Sequence, residues 1–134
     1  MPSNPIVLDS WGVVAYFLGQ QPAADRLKRL LFDAFDRHTP LLMAAVNLGE
    51  VWYSVARAGS EDEADRVVLQ TADLAEIVEA DWPLARQAAR FKAKGGLSYA
   101  DCFALALAKS RNARLATGDS EFKPFESAVK ILWL

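Results

Sequence analysis

The chain has 134 residues, 52% of them hydrophobic and 24% charged, a balance that predicts a single globular domain over residues 1–134 and excludes disordered and fibrous classes. No apolar run approaches the ~20 residues of a membrane span, and the opening Met1-Pro2-Ser3-Asn4-Pro5 lacks the basic region and apolar core of a signal peptide. The net charge of −2 argues against nucleic-acid binding by bulk basicity, and the single cysteine, Cys102, excludes an intrachain disulfide and fits a cytoplasmic location.

Short apolar runs alternate with helical patterns along the chain. Ile6–Leu8 reads as a strand, followed by Asp9 and a helical run over Val13–Leu18. Pro22–Arg37 places Leu27, Leu30, Leu31, Ala34 and Phe35 on one helical face, and His38 follows as a solvated helix-end residue. Leu41–Val46 reads as the second strand and Leu74–Val78 as the third. Asp81-Trp82-Pro83 has the form of a helix start, a capping Asp with Pro in the first turn. That helix is expected to reach Lys94 and stop at Gly95-Gly96. Ser98 opens another helix that ends before Arg114, and strands over Arg114–Thr117 and Val129–Leu134 complete the pattern. Such alternation predicts a three-layer α/β/α domain with right-handed crossovers.

Four acids stand where a strand-like run hands over to a helix or turn: Asp9, Glu50, Asp101 and Asp119. In an open α/β sheet these junctions lie at the carboxyl ends of the strands, where ligands bind. Each acid also has a local structural reading. Asp9 can cap the following helix, Glu50 stands three residues after Asn47 in a capping-box spacing, and Asp119 can close an Asx turn at Gly118-Asp119-Ser120. Asp101 follows Ser98 at the same spacing, but its helical neighbours Ala104, Leu105 and Ala108 put it on the apolar stripe, where a carboxylate needs a partner. Four carboxylates gathered at one edge repel one another unless a cation lies between them. Oxygen-only ligands favour Mg²⁺ or Mn²⁺ over zinc.

The other polar residues carry weaker signals. Arg86 and Arg90, one turn apart, form either a solvated face or an RNA-contacting patch. With one His and one Cys far apart, a nucleophile–base triad is not expected. A phospho-receiver domain would share the architecture but needs an acid pair after the first strand, where this chain has Asp9 alone.

These segments resemble a PIN domain, and in particular the VapC toxins of toxin–antitoxin pairs. Val7-Leu8-Asp9-Ser10 is similar to the opening motif, Asn47-Leu48-Gly49-Glu50-Val51 to the second, Leu97-Ser98-Tyr99-Ala100-Asp101-Cys102 to the third, and Leu115-Ala116-Thr117-Gly118-Asp119 to the fourth. Gln21 stands before Pro22 where relatives often carry an acid, a departure that touches only local surface charge. The resemblance implies a five-stranded parallel sheet and a Mg²⁺- or Mn²⁺-dependent endoribonuclease held in check by a cognate antitoxin, with a homodimer at the centre of the complex. It implies Asp9 and Asp101 as principal metal ligands, Glu50 and Asp119 completing the pocket, and Ser10, Thr117 and Ser120 as polar support. The same resemblance fits a PIN nuclease of RNA processing that is not a toxin, or a PIN-like module that binds without cutting.

Overall fold

Neighbouring residues in each strand point into different hydrophobic layers, which is why the strands read as unbroken apolar runs. The structure, a computed structural model, describes residues 4–134. Residues 1–3, part of the opening segment read as lacking signal-peptide features, lie outside the described residues. Strands β1 (Ile6–Leu8), β2 (Leu41–Ala44), β3 (Glu76–Val78), β4 (Arg114–Thr117) and β5 (Ile131–Trp133) form one parallel sheet in the order β3-β2-β1-β4-β5. Val7, Leu42, Ala44 and Leu115 pack on one side with helices α5 (Trp82–Ala93) and α6 (Tyr99–Ser110). Ile6, Leu8, Met43 and Ala116 pack on the other with α1 (Ser10–Phe17), α2 (Ala23–Asp36), α3 (Ala45–Ala58) and α4 (Glu61–Leu74). A sheet covered on both faces has no polar face to alternate with, as parallel sheets require.

The expected α/β/α layering holds, and most element boundaries move by one or two residues. Asp81 caps α5 by accepting from the Leu84 N–H at 3.0 Å, and Ser98 caps α6 by accepting from the Asp101 N–H at 3.1 Å. His38 is exposed and takes a positive φ after α2, and Cys102 is buried. Three expectations are corrected. Strand β2 ends at Ala44 rather than Val46, because Ala45 and Val46 already belong to α3. Asn47 and Glu50 are therefore both inside α3, whose N-cap is Ala44 with no side-chain capping bond, and the capping-box reading of this pair fails. Leu74 ends α4 instead of opening β3, and α4 itself was not anticipated, although Ser60 accepts from the Glu63 N–H at 3.1 Å as a helix cap should.

The chain moves outward from β1 in both directions, to β2 and β3 on one side and to β4 and β5 on the other. The switch in strand order thus falls between β1 and β4, the place where open α/β sheets form their ligand crevice. Asp9 follows β1 and Asp119 follows β4.

Candidate metal centre

Asp9 caps α1, and it does more than cap. Its Oδ1 accepts from the Gly12 N–H at 2.9 Å, while its Oδ2 accepts from the Thr117 hydroxyl at the end of the adjacent strand at 2.5 Å. Asp9 is only 1% exposed and Thr117 is fully buried. Burial pushes the Asp9 carboxyl up to about 7 against its ordinary 3.8; the Thr117 and Gly12 hydrogen bonds oppose that rise, and the charges of Asp101 and Asp119 add to it. An N-cap exposed to water would carry no such penalty. The helix-cap reading of Asp9 is realised, in a buried carboxylate that also bonds the neighbouring strand.

Thr117 is the hinge pin between two acids. Its hydroxyl donates to Asp9, and the same oxygen accepts from the Asp119 N–H at 3.1 Å. Asp119 in turn accepts from the Glu121 N–H at 2.9 Å, so the expected Asx turn forms and also caps a 3₁₀ helix over Ser120–Phe125. That turn carries Glu121 round beside its neighbours. One carboxylate oxygen from each of Asp101, Asp119 and Glu121 lies within 4.8 Å of the other two.

Asp101, in the first turn of α6, is half-buried. Burial pushes its carboxyl up to about 6, the Ser98 hydroxyl counters, and the charges of Glu50, Asp119 and Glu121 raise it further. The Asp101 expectation of a carboxylate on the apolar side of its helix agrees with this: the following residues Cys102–Ala108 are all buried.

Glu50 enters from α3 through a separate network. Its Oε1 accepts from the Ser10 hydroxyl at 2.8 Å and from the Asn47 amide at 3.1 Å, and its Oε2 accepts from the Tyr53 hydroxyl at 3.4 Å. The Glu50 charge raises the Tyr53 phenol above its ordinary 10.0. Asn47, fully buried, also donates to the Ala100 carbonyl at 3.0 Å and so ties α3 to the residue before Asp101. Its Oδ1 is buried without a partner.

Of the acids named from sequence, Asp101 and Asp119 come together with Glu121, while Asp9 and Glu50 stand in their own networks, near enough for charge to act between them and Asp101, with Thr117 bonded to Asp9 and Ser10 to Glu50. Three of the named polar residues do not join them. Ser120 is exposed and takes no part in this network, and Arg86 and Arg90 lie on the exposed side of α5, outside every ion pair of the described residues. Sequence reading missed Glu121, Asn47 and Tyr53 as site residues. Glu121 follows an Asx-turn former at the spacing that the turn itself imposes; Asn47 and Tyr53 flank Glu50 at i−3 and i+3, one turn away on the same helical face.

The donor set fits a hard divalent cation. It is all oxygen, its acids are close enough to raise one another, and no Lys or Arg forms an ion pair with any of them among the described residues.

Residues 6–126 match the PIN domain family. No curated protein sequence matches the chain. Among solved structures, VapBC from Salmonella typhimurium, crystallised with DNA, superposes with a TM-score of 0.73 at 15% identity, covering 97% of this chain and 98% of that one. VapC20 from Mycobacterium tuberculosis, a sarcin-ricin loop cleaving toxin, gives 0.72 at 13% identity, over 92% and 95% of the two chains. FitAcB from Neisseria gonorrhoeae gives 0.65 at 24% identity, over 95% and 96%. At such identities these likenesses speak for the fold, whereas the family match spans nearly all of it. The chain, from its first strand through the turn that carries Glu121, belongs to the PIN domain family.

Proposed function

We propose that this chain is a metal-dependent endoribonuclease acting as the toxin of a toxin–antitoxin pair. The observation that carries the reading is the gathering of Asp101, Asp119 and Glu121 beside the buried Asp9, with Thr117 bonded to both Asp9 and Asp119. Structural neighbours that include VapBC complexes and a sarcin-ricin loop cleaving VapC toxin support the assignment of RNA as substrate and an antitoxin as partner. The chain would act in the cytoplasm, as a homodimer; no helix of the described residues is long and apolar enough to cross a membrane.

Asp9, Glu50, Asp101 and Asp119, with Glu121, would hold Mg²⁺ or Mn²⁺. Bound there, the cation supplies Lewis acidity toward a phosphodiester and acidifies the attacking water. The chain's own residues prepare that site. Thr117 fixes the separation of the acids on β1 and β4, so little rearrangement is left to binding. Ser10, Asn47 and Tyr53 hold both Glu50 oxygens in place. The Asp9 carboxyl, raised to about 7, is about half protonated near pH 7, and a cation held there would displace that proton. The carboxylates repel phosphate until they are neutralised, which makes RNA binding at this edge conditional on metal.

An antitoxin segment would find a largely apolar cleft of about 400 Å³ lined by Tyr16, Lys28, Leu31, Phe32, Phe35 and Leu74. Phe32 and Phe35 are 63% and 81% exposed, and an amphipathic segment laid over them would bury both. Elsewhere on the helices, Trp52 donates to Asp65 at 2.9 Å, Tyr53 to Glu50, and Trp11 lies against Gly118.

Cleavage of structured RNA in the presence of Mn²⁺, by the wild type and by Asp101→Asn, tests the reading. Activity in the first and none in the second, with both folded, is expected. Metal-dependent cleavage by a chain that leaves its host unharmed would support a PIN nuclease of RNA processing instead.

A further inference from the structure

The amino edge of the sheet carries charge opposite to that of the acidic edge. Arg114, the first residue of β4, stands between two cavities of about 570 and 360 Å³. Lys109 and Lys130 line the first, from the end of α6 and the approach to β5. Arg26, Arg29 and Arg37 line the second, from α2 and its C-cap.

Helix dipoles explain only part of this. Lys109 and Arg37 stand at helix C-termini, where a cation is favoured. Arg26 and Arg29 fall in the first half of α2, where the dipole does not help them. Nor do neighbouring acids neutralise the edge. Asp33 is the one acid lining either cavity, and the one ion pair among the described residues, Arg111 to Glu76 at 3.9 Å, involves none of these cations. Arg114 donates from Nη2 to the Asn4 carbonyl at 2.9 Å, while its Nε is buried with no acceptor. No ion pair among the described residues neutralises these cations, so their charge is open to an anionic partner.

We infer that the amino edge is a second phosphate-binding surface, which grips the backbone of the RNA whose scissile segment lies at the acidic edge. That the polyanion is RNA rests on the endoribonuclease reading; that the surface binds an anion does not. Cations spread across two adjoining cavities suit a chain bearing one charge per residue, and guanidinium groups match phosphate in a fork geometry. Strands of three or four residues rise only about 13 Å, so one RNA can reach both edges.

The test is binding without catalysis. Anisotropy of a labelled single-stranded RNA is followed against salt in EDTA, so that the acidic edge recruits no phosphate through metal. Arg29→Gln/Lys130→Gln, one cation from each cavity, is compared with Arg86→Gln/Arg90→Gln, an equal charge change on α5; all four side chains are exposed and their loss should leave the fold intact. The amino-edge pair should weaken binding about tenfold at low salt and lower the slope of log K against log salt by about 1.4, with the α5 pair near wild type. Equal losses in both pairs would mean that overall charge, not place, governs binding, and would overturn the proposal. So would an unchanged amino-edge pair, a wild type that binds no RNA, or an acidic peptide held by this edge in RNA's stead. Failure of RNA cleavage with Mn²⁺ would sink the nuclease reading and the scissile segment with it, while the anion-binding surface, measured without metal, would stand.

Discussion

Asp9→Asn isolates the cost of ionising a carboxylate under the sheet edge. In the folded apo protein the Asp9 carboxyl titrates near 7, against 3.8 for its ordinary state, and the main cause is burial. The folded state therefore binds the proton more tightly than the unfolded chain does. Between about pH 4 and pH 7 unfolding releases that proton, so stability falls as pH rises through this window and levels off above it. The full interval corresponds to about 4 kcal/mol, and the part between pH 5 and pH 8 to about 3 kcal/mol. Asparagine can keep the bond from the Gly12 N–H, but it loses the charged acceptor for the Thr117 hydroxyl, a loss of about 1 kcal/mol. The variant should thus be more stable than the wild type at pH 8 by about 2–3 kcal/mol, with the gap closing towards pH 5. Urea denaturation in EDTA at both pH values reads this as a shift of about 1–2 M in midpoint at pH 8. Wild type and variant with parallel pH profiles would refute the claim that burial raises the Asp9 carboxyl.

Mg²⁺ should raise the melting temperature of the wild type and leave Asp9→Asn nearly unmoved, the gain being about 2.7 kcal/mol at a hundredfold excess over Kd; equal shifts would point to general screening. Mn²⁺ affinity, measured by calorimetry, should strengthen from pH 5.5 to pH 8, because the protons on Asp9 and Asp101, titrating near 7 and 6, must leave before the cation is held. Glu121→Gln should weaken Mn²⁺ binding about tenfold or more and leave the fold unchanged, Glu121 being exposed and bonded to Asp119 only through its backbone; unaltered affinity would remove Glu121 from the ligand set. Gly118→Ala should destabilise by about 1–3 kcal/mol, since the added methyl would lie 2.2 Å from a Trp11 ring carbon; the urea midpoint checks it, and Gly118→Ala in a Trp11→Ala background should recover most of the loss.

What could be read from the sequence depended on whether the signal was local. Strand β1, the Asp81 cap and the Ser98 cap follow from residues within one turn of each other, and all three appear as expected. The α2 helix was legible because its apolar residues recur at helical spacing. Helix α4 was not, since Glu61, Asp62, Glu63, Asp65 and Arg66 swamp a thin buried stripe of Ala64, Val67 and Thr71. Asn47 misled for a related reason. The Asn-x-x-Glu spacing that marks a capping box also places two side chains on one face inside a helix, and only the early end of β2 decides between them. The acids themselves were visible at their junctions. That Thr117 bonds Asp9 across 108 positions, or that Asn47 reaches Ala100, depends on sheet order, which no local pattern encodes.

The net charge of −2 is a sum over two edges that act differently. Acids gathered at the carboxyl edge lower the total, yet on the proposed reading each would become a cation's ligand rather than a repulsive charge once metal is bound. Lys109, Lys130 and the arginines of the amino edge raise it again where metal plays no part. A chain of this kind should bind RNA weakly without metal and through one edge, then gain the second edge when the divalent cation arrives. Mixed-salt titrations would separate the two. At fixed monovalent salt, Mn²⁺ should tighten RNA binding by the Arg29→Gln/Lys130→Gln variant by the same factor as for wild type, whereas Asp101→Asn should lose the Mn²⁺ increment and keep the monovalent slope. A Mn²⁺ increment of equal size in Asp101→Asn would mean that the ion acts on the RNA alone, and the division of labour between the edges would fall.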